Sequence, residues 1–229
     1  MTRVPGKRGP SSEPAAPREP YIDELPSPDA RDPVLLELGV HAGASIRGDD
    51  GGFTWMTRRA GFATGASAFV FPTRFLAFGL DYMHADLDTV ATPPGAAANV
   101  AMDHSAHSLM FEAKVLPFHF TSTSIFLAIG GGLAWQSVTT RATLPPVDGD
   151  TGGSFTCSAS GSADFAFRVG LGVKARVTRA ASLLFAGDFV GYRLSGDQLG
   201  ECGFGAGTAQ TLMVRAGLTY DIDISRVVR

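Results

Sequence analysis

The chain has 229 residues, of which 28 are glycine, 14 are proline and two are cysteine, and its formal net charge is −3. Because 22 Asp and Glu residues outnumber 19 Lys and Arg residues, no basic excess favours a nucleic-acid partner. Two cysteines and five histidines without ligand spacing argue against a zinc site, so no metal or other cofactor is predicted.

Residues 1–32 are the first segment of the chain. They hold seven of the 14 prolines, several charges and few large apolar side chains, a composition that predicts a disordered tail. They contain no apolar run of about 7–15 residues, so we do not expect the tail to be the signal peptide that an exported protein requires. The predicted folded domain is 33–229.

Eight stretches with alternating apolar and polar positions follow the tail. Their ranges are 34–47, 59–71, 75–85, 104–116, 124–139, 162–177, 182–194 and 208–224. In 162–177 the odd positions are all apolar. The even positions begin with a serine and are otherwise charged, glycine or alanine. Because side chains on a strand point alternately to its two faces, one face is apolar and the other is polar or small. A typical strand has about 5–6 residues, whereas a strand that crosses a bilayer needs about 9–11. The pattern therefore predicts membrane-spanning strands, although 59–71 alternates too weakly to assign its faces.

The connections support this interpretation. Every proline after residue 33 falls between the alternating stretches, as expected because proline cannot donate to a strand ladder. Long connections at 48–58, 86–103, 140–161 and 195–207 alternate with short ones. Bacterial outer-membrane barrels have an even number of strands, short periplasmic turns and longer extracellular loops. We therefore predict an all-β fold, an eight-stranded antiparallel up-and-down transmembrane β-barrel, with the tail in the periplasm.

One segment has the hydropathy of a transmembrane helix. Residues 115–140 contain no Asp, Glu, Lys or Arg, but Pro117, the polar run 121–124 and the glycines at 130–132 would break a helix. These residues suit a turn followed by a strand, so no membrane helix is predicted.

The polar faces of the strands carry nearly balanced charge. Six acids face five bases, and the predicted lumen network is Glu37, Asp81, Glu112, Asp164, Asp188, Asp221, Lys114, Arg168, Lys174, Arg176 and Arg215. An eight-stranded barrel is just wide enough for side chains to fill it, and each unpaired ion in a dry interior would cost on the order of several kcal/mol. The balance favours a plugged, salt-bridged lumen over an open pore.

Two other interpretations remain open. The lumen could be a narrow channel for small or hydrophobic solutes. The same alternation would also suit a soluble, lipocalin-like lipid-binding barrel with its apolar face inside, although that interior could not hold all of the large apolar side chains. Projection of those side chains into lipid has no such volume limit.

The remaining candidate sites are few. Cys157 and Cys202 lie in neighbouring long loops, where an oxidising outer surface favours a disulfide. Ser105 and His107 could share one face of a strand, but two such residues at the polar end of a strand are weak evidence for catalysis. No catalytic residue is predicted.

The eight alternating strands, the glycine-rich polar face, the Tyr and Trp residues near strand ends and the last strand, with Val214 to Asp221, resemble the small outer-membrane β-barrels of the OmpA, OmpX and OmpW type. The resemblance covers about residues 33–224. It implies a non-enzymatic protein of the bacterial outer membrane with a role in envelope structure or in binding through its surface loops. It also implies contact with outer-membrane lipid and with the barrel-assembly machinery.

Overall fold

The structure is a computed structural model that describes residues 34–48, 56–58, 60–91, 99–119, 122–143, 152–193, 202 and 208–225. The predicted tail, 1–32, lies outside the described residues. The described part contains the strands β1 (Leu35–Arg47), β2 (Met56–Arg58), β3 (Ala60–Thr73), β4 (Leu76–Asp86), β5 (Thr89–Ala91), β6 (Asn99–His119), β7 (Thr123–Thr143), β8 (Ser154–Ser160), β9 (Asp164–Arg176), β10 (Ala181–Arg193) and β11 (Thr208–Asp223).

Eight of these strands close into a barrel. Each pairs antiparallel with the next in the order β1, β3, β4, β6, β7, β9, β10 and β11, and β11 pairs back with β1 from Leu35–Asp223 to Arg47–Thr211. The predicted eight-stranded antiparallel barrel is confirmed. Within the described ranges, no helix is long and apolar enough to cross a membrane.

The exposed fractions of the side chains show that the apolar row of each strand points outward and the polar row points into the lumen. The outward residues Val214, Ile129 and Val40 expose 71%, 64% and 61% of their surface, whereas Arg168 and Glu112 on the inward face expose none. A water-soluble barrel has the opposite arrangement, with its apolar row inside. The weakly alternating strand β3 follows the same rule, since Phe69 is fully buried and Phe62 is 54% exposed.

Two prolines lie inside strands, so the prediction that they mark strand boundaries is wrong for them. Pro72 belongs to β3 and Pro117 to β6. Each sits where the pairing register shifts, between Val70 and Thr73 and between Val115 and Phe118. A bulge leaves one residue out of the ladder, so a proline there costs no ladder hydrogen bond.

The end of the barrel that carries the long connections contains more regular structure than predicted. The strands β6 and β7 each have 21 residues, and they pair from Asn99–Thr143 down to His119–Ser124. Short strands extend this hairpin sideways, because β8 pairs with the end of β7 and β5 joins β6 to β2. The predicted loops 48–58, 86–103 and 140–161 are therefore partly strand.

Candidate functional site: the charged lumen

Five charged side chains and one histidine, from six barrel strands, meet near the middle of the lumen. We call them the central cluster: His41, Asp81, Glu112, Arg168, Asp188 and Arg215. All six are buried, on β1, β4, β6, β9, β10 and β11. Alternation places them inside, because each stands on the inward parity of its strand.

The two arginines of the central cluster pair with acids on three other strands. The Arg168 guanidinium on β9 donates to Glu112, and its Nη1 lies 3.0 Å from Asp81 Oδ1. Arg215 donates from Nε to Asp188 over 2.6 Å and from Nη1 to the other Asp81 oxygen, Oδ2, over 3.1 Å. Asp81 therefore forms ion pairs with both guanidinium groups, and these two pairs join β4 to β9 and to β11, neither of which is its neighbour in the sheet.

Two inward glycines make room for these carboxylates. A Cβ atom at Gly170 would overlap the Oδ1 atom of Asp188, and one at Gly130 would stand 2.5 Å from the Cγ atom of Glu112. The glycine-rich polar face recognised in the sequence thus has a steric role, because a larger residue would displace the acids.

His41 is the member of the central cluster that charge counting on the sequence missed. Its Nε2 atom lies 3.2 Å from Asp81 Oδ2 and 3.1 Å from Arg215 Nη1. The three carboxylates of the cluster face two guanidinium groups, and His41 stands between one of each. The signal was its position on the polar face of β1, on the same parity as Glu37. Arg47, which is also buried on that face, could have been found in the same way.

A second group, the basal cluster, lies nearer the short-turn end and contains Glu37, Lys114, Lys174 and Asp221. The Lys174 Nζ atom donates to Glu37 over 2.7 Å and to Asp221 over 2.9 Å. Lys114 donates to the same glutamate over 3.4 Å, and its Nζ atom stands 3.3 Å from the centre of the Phe69 ring. Two acids and two bases are balanced here, and an aromatic face supports one of the cations.

Apolar side chains fill the lumen around both clusters. The buried residues nearest the basal cluster are Phe69, Phe71, Ala77, Leu116, Phe126, Ala128, Leu184 and Ala186. A cavity of about 10 Å³ remains between the basal cluster and this layer, which is about the space that one water molecule needs. On the other side of the central cluster, Met83, Met110, Met213 and Tyr192 are fully buried. The described lumen is packed rather than open along these layers.

Two of the predicted network residues are not brought into either cluster. Arg176 is exposed, because it is the last residue of β9 and Lys174 already stands at the end of the lumen row. Asp164 is half-buried at the first residue of the same strand, where its carboxylate accepts a hydrogen bond from the Phe165 backbone N–H. The other nine predicted residues lie in the two clusters.

The disulfide prediction is confirmed. Cys157 on β8 is bonded to Cys202, and their Cα atoms are 5.4 Å apart. Thr140 on β7 donates its hydroxyl to the backbone carbonyl of Cys202 over 2.7 Å. The bond and this hydrogen bond hold the chain at Cys202 against the inner side of the extended hairpin.

The histidines and serines at the start of the fourth predicted strand point in different directions. His104 lies in the lumen and bonds through Nε2 to Gln136 over 2.9 Å. Ser105 and His107 point outward, but the Ser105 hydroxyl bonds to Ser137 and the His107 ring bonds to the Tyr82 hydroxyl. Among the described residues, no group of three or more His, Cys, Asp or Glu could hold a metal ion.

No protein-family model matches this chain, and no curated protein matches it. Among solved structures, it is similar to neisserial surface protein A, with 16% identity, a TM-score of 0.48, and coverage of 81% of this chain and 96% of that chain. It is similar to a major outer membrane protein from Thermus thermophilus, with 12% identity, a TM-score of 0.47, and coverage of 82% and 99%. It is similar to Ail, the attachment invasion locus protein of Yersinia pestis, with 11% identity, a TM-score of 0.43, and coverage of 83% and 99%. The closed eight-stranded barrel of this chain confirms the resemblance as one of architecture.

Proposed function

We propose that the protein is a non-enzymatic barrel of the bacterial outer membrane, with a lumen plugged by ion pairs and an extended hairpin presented at the cell surface. The observation that carries this proposal is the apolar outward wall around a charged interior. Exposed apolar rows of this size are unfavourable in water but favourable in hydrocarbon.

The height of the apolar wall supports membrane insertion. On β9 the outward residues run from Phe165 to Val173, all of them at least 37% exposed. Eight residue steps at about 3.4 Å give about 27 Å along the strand, or about 21 Å along the barrel axis at a tilt of about 40°. Outer-membrane barrels have an apolar band about 25 Å tall. The same outward rows argue against the lipocalin-like alternative, which needs an apolar interior.

The ion-pair network supports a closed lumen. Arg168 has no exposed surface, and Arg215 exposes 3%. An open aqueous conduit would hydrate these groups, whereas here both are paired with carboxylates, and Arg168 also contacts the Met83 sulfur. We therefore expect no steady ion conductance from the folded protein.

The outward serine and histidine support a non-enzymatic role. Nucleophilic catalysis needs a hydroxyl within hydrogen-bond reach of a base. The Ser105 hydroxyl instead bonds to Ser137 Oγ at 2.9 Å, and His107 Nδ1 bonds to Tyr82 at 2.9 Å. The partners that follow from the proposal are outer-membrane lipid, the barrel-assembly machinery, and a surface ligand reached through 48–58, 86–103, 140–161 or 195–207.

The proposal is tested on protein folded in detergent and then in liposomes. A folded outer-membrane barrel migrates differently on a gel before and after boiling, and it floats with liposomes in a density gradient. We expect both behaviours and a silent planar-bilayer recording over a range of voltage. Unchanged mobility on boiling together with protein that stays in solution without detergent would overturn membrane insertion, while a steady conductance would overturn the plugged lumen and favour a channel.

A further inference from the structure

A groove crosses the outward apolar wall of the barrel. It has a volume of about 550 Å³ and passes over β7, β9, β10, β11 and β1. Its floor carries small side chains, because a Cβ atom added at Gly187 would have nothing within 4 Å, and Ala42 and Ala216 pair with each other on β1 and β11. Val214 and Leu171, which are both exposed, stand at its sides. The apolar wall is therefore indented along this path.

The groove is inclined, and its lower end lies near the short turns. It follows a row of paired residues from Ile125 on β7 to Ala42 on β1. Ile125 is two residues from the first residue of β7, whereas Ala42 is seven residues from the first residue of β1, and both strands begin at the short-turn end. Four steps between strands of about 4.8 Å give a length of about 19 Å, and a strand tilt of about 40° makes the groove rise by about 12 Å along the barrel axis. The groove therefore runs from the edge of the apolar wall towards its middle.

An exposed cation stands below the lower end of the groove. Arg176 is exposed and lies three residues beyond Val173, which pairs with Ile125. The Arg176 backbone N–H donates to the Ser122 carbonyl over 2.7 Å, and this bond holds the end of β9 beside the turn that precedes β7. Within the described part of the chain Arg176 forms no ion pair, while the acids of the basal cluster are paired with the lysines of that cluster. Its guanidinium can therefore bind an anion at the level where the apolar wall ends.

An apolar groove that ends at a cation suits one anionic lipid molecule. The hydrocarbon of one leaflet is about 15 Å thick, so an acyl chain that lies obliquely is about as long as the groove. A guanidinium binds phosphate oxygens in a bidentate manner, and long basic side chains place their charge at the membrane interface. Arg179 in the turn after β9 is also exposed and adds a second cation. These charges favour a negatively charged headgroup over a zwitterionic one.

A second copy of the chain suits the groove less well than a lipid does. Two copies in one membrane have the same orientation, so a two-fold axis between them would run along the barrel axis and bring identical residues to the same height. If the groove lay at such an interface, the two Arg176 side chains would approach each other beside its lower end. Like charges repel, so the charge at this end favours an anionic lipid over self-association.

We propose that the groove and Arg176 bind one anionic glycerophospholipid of the leaflet on the short-turn side. One acyl chain of this lipid lies along the groove, and its headgroup phosphate is bound by the Arg176 guanidinium. Arg179 attracts the same headgroup. This inference names a specific partner for the apolar wall, and it rests on the proposed membrane insertion, because only a bilayer brings lipid to this face.

The test measures quenching of a tryptophan at the groove by phospholipids with brominated acyl chains. Trp55→Phe and Trp135→Phe remove both tryptophans of the chain, and Val214→Trp then places a reporter at the side of the groove. Phe111→Trp in the same background is the control reporter, four strands further round the barrel. Each protein is folded into phosphatidylcholine liposomes that contain brominated phosphatidylglycerol or brominated phosphatidylcholine. We expect phosphatidylglycerol to bind about fivefold more strongly at the groove reporter, the effect of one arginine at an anionic surface, and the two lipids to bind equally at the control reporter.

Three variants separate the lipid site from general charge effects. Arg176→Gln is expected to reduce the preference for phosphatidylglycerol at the groove reporter to below about twofold. Gly187→Leu fills the floor of the groove and is expected to reduce the preference in the same way, although Arg176 remains. Arg74→Gln removes an exposed cation from a different short turn and serves as the matched control, which is expected to keep the preference of the parent.

Equal binding of the two lipids at the groove reporter would overturn the inference, as would a preference that Arg176→Gln or Gly187→Leu leaves unchanged. A groove reporter that neither brominated lipid quenches would also overturn it, and would indicate that a second copy covers the groove. The control reporter distinguishes these failures from failure of the proposed function. Quenching at Phe111→Trp means that the wall faces lipid, so a failure confined to the groove contradicts only the lipid site. Absence of quenching at both reporters would contradict membrane insertion itself.

Discussion

Replacing Arg168 by methionine is expected to destabilise the folded barrel strongly. Arg168 has no exposed surface, and it pairs with both Asp81, at 3.0 Å, and Glu112. The Arg168→Met variant keeps most of the side-chain volume but leaves the Glu112 carboxylate without its cation, while Asp81 keeps Arg215. Breaking a buried ion pair by removing one partner costs about 3–5 kcal/mol, and we expect a loss in that range.

The measurement is urea unfolding of the liposome-folded protein, followed by tryptophan fluorescence. A lower midpoint with an unchanged slope reports a change in the free energy of unfolding. A second substitution, Glu112→Gln, removes the uncompensated charge, so the Arg168→Met/Glu112→Gln double variant is expected to recover at least about 1 kcal/mol, because uncharged replacements of a buried pair are often tolerated. Arg179→Met serves as the control, since Arg179 is exposed and its replacement is expected to change stability by less than about 0.5 kcal/mol.

A loss below about 1 kcal/mol for Arg168→Met would refute the reasoning, because it would mean that water reaches Asp81 and Glu112 and screens them. Failure of Glu112→Gln to recover stability in that background would also contradict it. The loss would then come from packing rather than from an uncompensated carboxylate.

Two further predictions concern the disulfide and the inward glycines. The disulfide closes a loop of 45 residues, so reduction, or Cys157→Ser combined with Cys202→Ser, is expected to lower the free energy of unfolding by about 2–4 kcal/mol. The measurement is the shift of the urea midpoint with and without reductant. An unchanged midpoint would contradict a bond that restrains the unfolded chain. Gly170→Ala is expected to lower the free energy of unfolding by about 1–3 kcal/mol, because its Cβ atom would overlap the Asp188 carboxylate. In the same assay Gly187→Ala should be nearly neutral, since nothing lies within 4 Å of the added atom. Equal effects of the two substitutions would contradict the steric role of Gly170.

The barrel could be predicted from the sequence because its signal is repeated. Each strand carries the same period of two, so an error in one stretch is corrected by the other seven. That period also predicts which face of a strand carries a charged residue. Asp81, Arg168 and Arg215 therefore lie in the lumen, as the alternation predicts. The weakly alternating strand β3 could not be oriented because Gly65 and Ser67 on one face oppose Ala66 and Ala68 on the other.

Features that depend on pairing between strands were not predictable. Whether Pro117 ends a strand or stands in a bulge depends on the register of β6 against β7, which no single stretch contains. The extension of that hairpin beyond the barrel follows from cross-strand pairs of polar residues, and these read as loop when each strand is considered alone. The alternation of β9 predicts that Arg176 lies on the lumen face, but alternation does not indicate the residue at which the barrel wall ends.

The geometry of the clusters was also beyond the sequence. Balance of charge indicates that ions are paired, but not which pairs form, because the partners stand on different strands and several of these strands are not neighbours in the sheet. His41 illustrates this point, since only its position between Asp81 and Arg215 shows that it belongs to the network.

The central claim, an apolar wall facing lipid around a charged lumen, is tested most directly by placing an arginine on that wall. Val169 lies midway along the outward row of β9 and is 50% exposed. In a bilayer, Val169→Arg is expected to lower the free energy of unfolding by about 2–4 kcal/mol, the cost of a cation at the membrane midplane. If Val169 faced water, the same substitution would change the free energy of unfolding by no more than about 0.5 kcal/mol, and that result would contradict the claim.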